Sequence, residues 1–217
     1  MTADRGLCGS FNSGIIKTAE RFLRTQKDSY ELISLSTVGT RGYDYFSRRG
    51  AKIRKSYNEV FEEVNFQAAS SIGQELATHF QESDLDAVFL VYNEFRSIIS
   101  QKPLIIQLLP LKDLHVEQSS EHKHGVITDL TDTVDFLYEP SRDEILHDLL
   151  PRHLSVKIYR SMLESIASEH GARMSAMDSA TRNANKLISK LTLYYNRVRQ
   201  AAITKELIEI VSGAEAM

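Results

Sequence analysis

Arg152 to Ser212 reads RHLSVKIYRSMLESIASEHGARMSAMDSATRNANKLISKLTLYYNRVRQAAITKELIEIVS, a run with no proline and a single glycine, Gly171. As one helix it is ~90 Å long at ~1.5 Å per residue. A compact domain built from the ~150 residues before it would have a radius of gyration of only ~15 Å, so the helix must project beyond it. Along the run, Ile158, Met162, Ile166, Met174, Met177, Ala180, Ala184, Leu187, Leu191, Tyr195, Val198, Ala202 and Val211 recur mostly in steps of three and four. That spacing marks one side of a helix. A lone helix with such a stripe in water is unstable, so a second helix must lie along it, as in a coiled coil. No other stretch of this sequence is long enough, and the partner therefore comes from another chain or from a segment outside this one. The competing arrangement is a bundle of two or three shorter helices. It needs a break, and Gly171 is the one candidate, with no turn-forming cluster around it.

Ahead of this run the chain alternates between helical and extended patterns. Ser10 or Asn12 is a candidate N-cap, and Ile15, Ile16, Ala19, Phe22 and Leu23 share a helical stripe up to Gln26. Tyr30 to Thr37 reads as a strand, Gly39 to Arg49 as a short helix closed by Gly50, and Lys52 to Lys55 as a short strand. Phe66 to Phe80 places Ile72, Leu76 and Phe80 in helical register. Leu85 to Tyr92 is a nearly continuous apolar run, as in a strand covered on both faces, and Ser100 to Leu111 reads as a further strand. Residues 112–133 are polar and poorly patterned, a loop or weak hairpin, and Val134 to Tyr138 returns as a strand. Ser141 and Glu144 then carry the spacing of a capping box. The alternation predicts an α/β fold with a mainly parallel, Rossmann-like sheet over residues 1–150, followed by one long C-terminal helix over 151–217.

Composition narrows the function. The net charge of −3 gives no reason to expect nucleic acid as partner of the whole chain. Cys8 is the one cysteine, which excludes an internal disulfide framework and fits a reducing compartment. No apolar run reaches the ~18–20 residues of a membrane span. Met1 to Arg5 leads into Gly6 rather than into an apolar core, so no signal peptide is expected. The helix carries Arg182, Lys186, Lys190, Arg197, Arg199 and Lys205 with no acidic residue from Thr181 to Lys205. This is a solvated basic face, a weak nucleic-acid contact, or a flank that meets an acidic partner; composition does not choose among them.

Other motifs have ordinary explanations. Arg5-Gly6-Leu7-Cys8-Gly9-Ser10 lacks the lysine of a phosphate loop and the G-x-G-x-x-G spacing, and reads as a tight turn. Cys8 has no identifiable catalytic partner. His115, His122 and His124 share a polar loop without a fourth metal ligand. Glu169-His170 suits packing and hydrogen bonding on a coiled-coil helix better than acid–base work. No catalytic, cofactor or metal residue is expected.

Two stretches carry a family resemblance. Thr2 to Asn12 (TADRGLCGSFN) resembles the signature of the gamma subunit of F-type ATP synthases, and Ala167 to Met177 (ASEHGARMSAM) resembles a second signature of that family. Asp178 to Asn185, Ala202 to Ala214, and Tyr138 to Ser141 with Leu149 to Arg152 look like the family's closing helix and the approach to it. The resemblance runs in order from Thr2 to Met217. It implies a central-stalk rotor subunit that couples ring rotation, driven by proton flow, to ATP synthesis or hydrolysis elsewhere. The implied partners are the alpha and beta subunits of the catalytic hexamer, the epsilon subunit and the c-subunit ring, with no direct membrane span. The implied location is peripheral, on the cytoplasmic face of the bacterial inner membrane. By the same resemblance, Arg199, Gln200, Thr204 and Glu206 contact beta. Arg182, Lys186 and Lys190 pass an acidic segment of beta, and Leu207, Ile208, Ile210 and Val211 form a tip in an apolar collar. The family's long first helix and first strand precede the position of Met1, so an N-terminally truncated chain is expected. Ser10 and Gly171 depart from the family's glycine and alanine. The alternatives are a free-standing α/β nucleotide-binding protein with a helical interaction tail, or a coiled-coil adaptor.

Overall fold

The computed structural model describes residues 1–58, 60–61, 64–83, 85–111 and 139–215. The expectations for residues 112–133, the strand at Val134 to Tyr138 and the histidines His115, His122 and His124 lie outside the described residues. The element order is α1 (Phe11–Gln26), β1 (Leu35–Val38), α2 (Thr40–Ser47), β2 (Ile53–Tyr57), α3 (Phe66–Glu82), β3 (Val88–Phe95), β4 (Gln101–Leu109) and α4 (Arg142–Glu215).

The α/β alternation is as the sequence predicts, and the pairing is mixed. β1 and β2 pair in parallel, joined through α2, whereas β3 and β4 pair antiparallel. The second pair is a hairpin because only Arg96 to Ser100 separates its strands, too few residues for a crossover. Thr2 donates its N–H to the Val38 carbonyl and the Met1 ammonium donates to that of Val91, at 2.8 and 2.7 Å. These two bonds place the C-terminal end of β1 beside the middle of β3. The first strand is shorter than Tyr30 to Thr37, since the ladder begins only at Leu35, opposite Ile53.

Both faces of β3 are covered, as its apolar run requires. On one side Phe22 of α1 meets Phe89 edge-on, with ring centroids 4.9 Å apart. On the other, Ala69 and Ile72 of α3 form a core with Leu108 of β4 and Leu154, Ile158 and Met162 of α4. Asn65 caps α3, its Oδ1 accepting from Ala68 N–H at 2.8 Å, which satisfies a donor the helix leaves free. Beneath α3, burial pushes the Glu75 carboxyl upward, but hydrogen bonds from Lys55, Tyr57 and Arg54 outweigh it and hold the group down at about 2. The Tyr57 hydroxyl is pushed up to about 12 by burial and by its bond to that carboxylate.

The long helix begins earlier than Arg152. Ser141 Oγ accepts from Glu144 N–H at 3.3 Å, so the capping spacing marks the true start at Arg142. Pro151 lies inside α4. It forfeits one backbone bond, in a turn that is exposed from His147 to His153. Burial of α4 starts only at Leu154. Gly171 is no break: the helix runs through it without interruption to Glu215.

Candidate functional site

Two features stand out for function, a latch built by residues 2–12 and the bare part of α4. The latch closes on α2. A helix leaves its first N–H groups without internal partners, and here all of the first three are satisfied by residues far back in the chain. Asp4 Oδ1 accepts from Thr40 N–H and from Thr40 Oγ1, both at 2.9 Å. Arg41 N–H reaches the Ala3 carbonyl at 3.3 Å, and Gly42 N–H reaches Thr2 Oγ1 at 2.8 Å. Gly39 allows this closeness: its φ is 90°, and a Cβ there would lie 1.9 Å from the Thr2 carbonyl oxygen. Asn12 is not a cap of α1. It folds back, its Oδ1 accepting from Ala3 N–H at 2.9 Å and its Nδ2 reaching Cys8 Sγ at 3.2 Å. Ser10 occupies the N-cap position without a side-chain bond.

The Arg5 to Ser10 segment is thus a structural turn. Its neighbouring helix start has no free donors for an anion, and Cys8 is buried with Ala3, Phe11 and Ala172. Leu7 is the exception: it is 77 % exposed, with a positive φ of 63°. Nothing local to Thr2 or Asp4 signals that they cap a helix some 36 residues on; only the tertiary fold brings them there.

The latch and the β3–β4 hairpin meet α4 at one level. Gly9 lies against Ala172 and Ala176, while a Cβ on Gly171 would sit 3.3 Å from both Cα and the carbonyl oxygen of Ile98. Glu169 is buried and forms an ion pair with Arg173 at 2.5 Å, while His170 is exposed, so the two adjacent residues do not act as a pair.

Beyond Arg173 the helix is bare. From Met174 to Ala214 every residue is exposed except Ala176 and Asn196, which are half-buried. This stretch is roughly 60 Å long. At ~100° per residue, Leu187, Leu191, Tyr194, Tyr195 and Val198 fall within about one third of the circumference, and Arg182, Lys186, Lys190 and Arg197 group along one flank of that seam. Leu187, Leu191 and Tyr195 are each about 60 % exposed. Further on, Ile203, Leu207, Ile208, Ile210 and Val211 share a little under half of the circumference, with Lys205, Glu206 and Glu209 on the other side. This apolar arc is also uncovered.

The sequence-derived contact residues are distributed accordingly. Gln200 and Thr204 continue the basic side, with Thr204 Oγ1 bonded to the Gln200 carbonyl at 2.8 Å. Arg199 and Glu206 lie about a third of a turn away from them, so these four positions do not form one patch. Arg182 is held by Asp178 at 2.8 Å in an exposed pair, worth little by itself. Among the described residues, no cluster of three or more His, Cys, Asp or Glu could hold a metal ion. No described helix is long and apolar enough to cross a membrane.

A small α/β head on a long helix with an uncovered seam defines a stalk-type subunit, one that works by contact within a larger assembly. A family model described as ATP synthase matches residues 1–217. The ATP synthase gamma chain of Anaeromyxobacter sp. (strain Fw109-5) is 49 % identical over 217 residues, covering all of this chain and 71 % of the relative. That of Geotalea daltonii is 46 % identical over the same span and shares. Among solved structures, the central stalk and c-ring of the Tetrahymena thermophila mitochondrial ATP synthase aligns with TM-score 0.62 at 26 % identity, covering 83 % of this chain and 74 % of that one. A chain of the Euglena gracilis mitochondrial enzyme shares the fold at TM-score 0.67 and 21 % identity, covering 100 % and 70 %. The chain belongs to the ATP synthase gamma family and is a central-stalk subunit.

Proposed function

We propose that the chain is the mechanical coupling element of a proton-driven ATP synthase and has no catalytic site of its own. The observation that carries this reading is the bare length of α4 from Met174 to Ala214, exposed nearly throughout, with an apolar seam from Leu187 to Val198 and a basic flank from Arg182 to Arg197. In the proposed division, residues 1–150 form the head and residues 151–217 the shaft, with the packed start of α4 serving both. The head meets the epsilon subunit and the c-subunit ring, and the shaft meets the alpha and beta subunits. Arg182, Lys186 and Lys190 face an acidic segment of beta, where charge guides contact without deep burial. Arg199, Gln200, Thr204 and Glu206 touch beta from two sides of the shaft. Leu207, Ile208, Ile210 and Val211 turn inside an apolar collar, which suits their exposed apolar arc. The complex places the chain peripherally, at the cytoplasmic face of a bacterial membrane. Turning an asymmetric shaft biases surrounding subunits among discrete conformations through differential contact.

The test is binding of the purified chain to an alpha–beta hexamer over a range of salt. Reversing Lys186 and Lys190 to Glu should weaken binding at least tenfold at low salt and flatten the salt dependence. Unchanged affinity and slope would remove the basic side from the interface. Turnover of ATP by the chain alone would overturn the non-catalytic reading.

A further inference from the structure

Charge is spread unevenly over the chain. Phe11 to Tyr57 holds ten Lys and Arg against four Asp and Glu, a net of +6 inside a chain whose total is −3. Within α1 the imbalance follows the helix surface. Its exposed positions are Ser13, Lys17, Arg21, Arg24 and Thr25, three of them basic and none acidic. At ~100° per residue the three basic residues fall within about one sixth of the circumference, on the side away from the buried Phe11 and Ile15. The one acidic residue of α1, Glu20, is half-buried; it pairs with the Arg49 guanidinium and accepts from the Tyr45 hydroxyl at 3.0 Å. Among the described residues, Lys17, Arg21, Arg24, Lys27, Arg48 and Lys52 form no ion pair, whereas Arg54, Lys55, Arg160 and Arg173 do.

The fold carries this charge away from the bare arm of α4. α1 starts at the level of the junction, where Phe11 packs with Cys8 and Ala172. It then runs back along the head to Phe22, which meets Phe89. Phe89 stands six residues, ~20 Å, before Phe95, whose ring lies against Gly171. Tyr30, just ahead of β1, also meets the Phe89 ring, with centroids 6.4 Å apart, so β1 starts at that lower level. β2 starts beside it, because Leu35 N–H bonds to the Lys52 carbonyl at 2.9 Å. α2 joins the end of β1 to the start of β2 and therefore descends as α1 does. Arg24, Lys27, Arg48 and Lys52 thus gather toward the end of the head remote from the shaft. Asp28 and Glu31, on the turn between α1 and β1, are the acidic residues beside them.

We infer that the basic outer face of α1, with the lower end of α2, is a membrane-contact surface that touches the headgroups of anionic lipids without inserting. Insertion needs an apolar side turned outward, and α1 spends its apolar side on the head. The contact is therefore electrostatic, each basic residue near an anionic surface strengthening it about fivefold. The unpaired cations stand on the convex outside of a helix, spread over a turn and a half with no pocket between them, which suits a broad charged plane better than one acidic peptide. The choice of partner rests on reading the chain as a rotor part with its head toward the ring. A turning part keeps contact at every angle only with a surface that is alike all round, and a fluid film of headgroups is alike all round where a fixed acidic segment is not.

The experiment sediments the 217-residue chain with vesicles of phosphatidylcholine alone and of phosphatidylcholine mixed with phosphatidylglycerol. Binding to the anionic vesicles is expected, fading as salt screens it, with much less on the neutral ones. The double variant Arg21→Glu, Arg24→Glu should bind the anionic vesicles at least tenfold more weakly, while Lys186→Glu, Lys190→Glu on the shaft should stay within about twofold. Both changes are at exposed positions, and unchanged circular dichroism checks that the head is intact. The head variant should keep its affinity for the alpha–beta hexamer, so failure of lipid contact and failure of shaft contact are read separately. Equal binding to neutral vesicles, no binding to either kind, or loss with the shaft variant instead of the head variant would each overturn the proposal. Binding to soluble polyglutamate that needs Arg21 and Arg24, with none to vesicles, would overturn it in favour of an acidic protein segment.

Discussion

The two halves of α4 share one backbone and similar chemistry, yet they meet opposite fates. Between Leu154 and Ala172 the helix buries Leu154, Ile158, Met162 and four serines, Ser155, Ser161, Ser165 and Ser168. Between Leu187 and Val211 it exposes larger apolar groups, among them Leu193, Tyr194 and Ile210. Hydroxyls return to the helix's own carbonyls in both halves, Ser155 to Pro151 and Ser161 to Lys157 in one, Ser189 to Asn185 and Thr192 to Ile188 in the other. What differs is size and company. Small serines let β3 and α3 approach closely, and Ser168 bonds to the Asn93 carbonyl at 3.2 Å. The bulky seam of the second half is shaped for a surface that the head does not supply. Hydrophobicity alone does not determine burial here; the fit between side-chain size and an available neighbour does.

The contrast can be broken most directly by matched truncations. Met162→Ala, at a fully buried site, should cost about 2–5 kcal/mol. Leu191→Ala should fall within about 0.5 kcal/mol in the isolated chain. Urea denaturation of the two variants checks this, and comparable losses would mean that the outer seam is already covered. Within the head, Asp4→Ala removes the acceptor for two Thr40 donors and should cost about 1–2 kcal/mol. Hydrogen exchange would show faster opening at the start of α2, with the outer half of α4 unaffected.

Acid acts on the packed part of the molecule, through Glu75 of α3. The Glu75 carboxyl is held at about 2 in the folded state against 4.5 in its ordinary state. Its stabilising share is therefore complete above about pH 4.5 and declines as pH falls toward 2. Glu75→Gln should flatten the fall in melting temperature over that window. An identical acid profile would show that the network is without weight. The smallest effect is expected at the junction. Gly171→Ala gains up to about 1 kcal/mol of helix propensity, offset by the tight approach of Ile98. Stability should hardly change while the Ile98 and Ile99 amide resonances shift; a gain of the full propensity difference with unmoved resonances would show a hairpin with room to spare.

Much of this molecule was readable from the chain because the strongest signals were local. The three-and-four spacing gave the long helix and its uncovered stripe, and the Ser141–Glu144 spacing gave the helix start that the expectation of Arg152 placed ten residues late. Alternation of patterns gave the α/β class. The hairpin of β3 and β4 was hidden because a buried antiparallel strand covered on both faces has the same continuous apolar run as a parallel one. The roles of Thr2, Asp4 and Asn12 were hidden because a side chain that caps a helix from across the fold leaves no periodic trace. Gly171, which as sequence counts only as a weak point in a helix, turns out to lie where the backbone of Ile98 comes close. The proposed contacts at Arg199, Gln200, Thr204 and Glu206 came from resemblance, and the helix geometry sorts them onto two sides.

The uninterrupted passage of α4 through Gly171 makes the molecule a lever. Its clamped span, Leu154 to Ala172, is about 27 Å long, and the free arm beyond it is about 63 Å. A rigid tilt that shifts one end of the clamp by an ångström swings the far end through roughly twice that distance. Conversely, a sideways push at the tip arrives at the clamp with its force multiplied by the same ratio, where close-packed serines and a glycine leave little slack to absorb it.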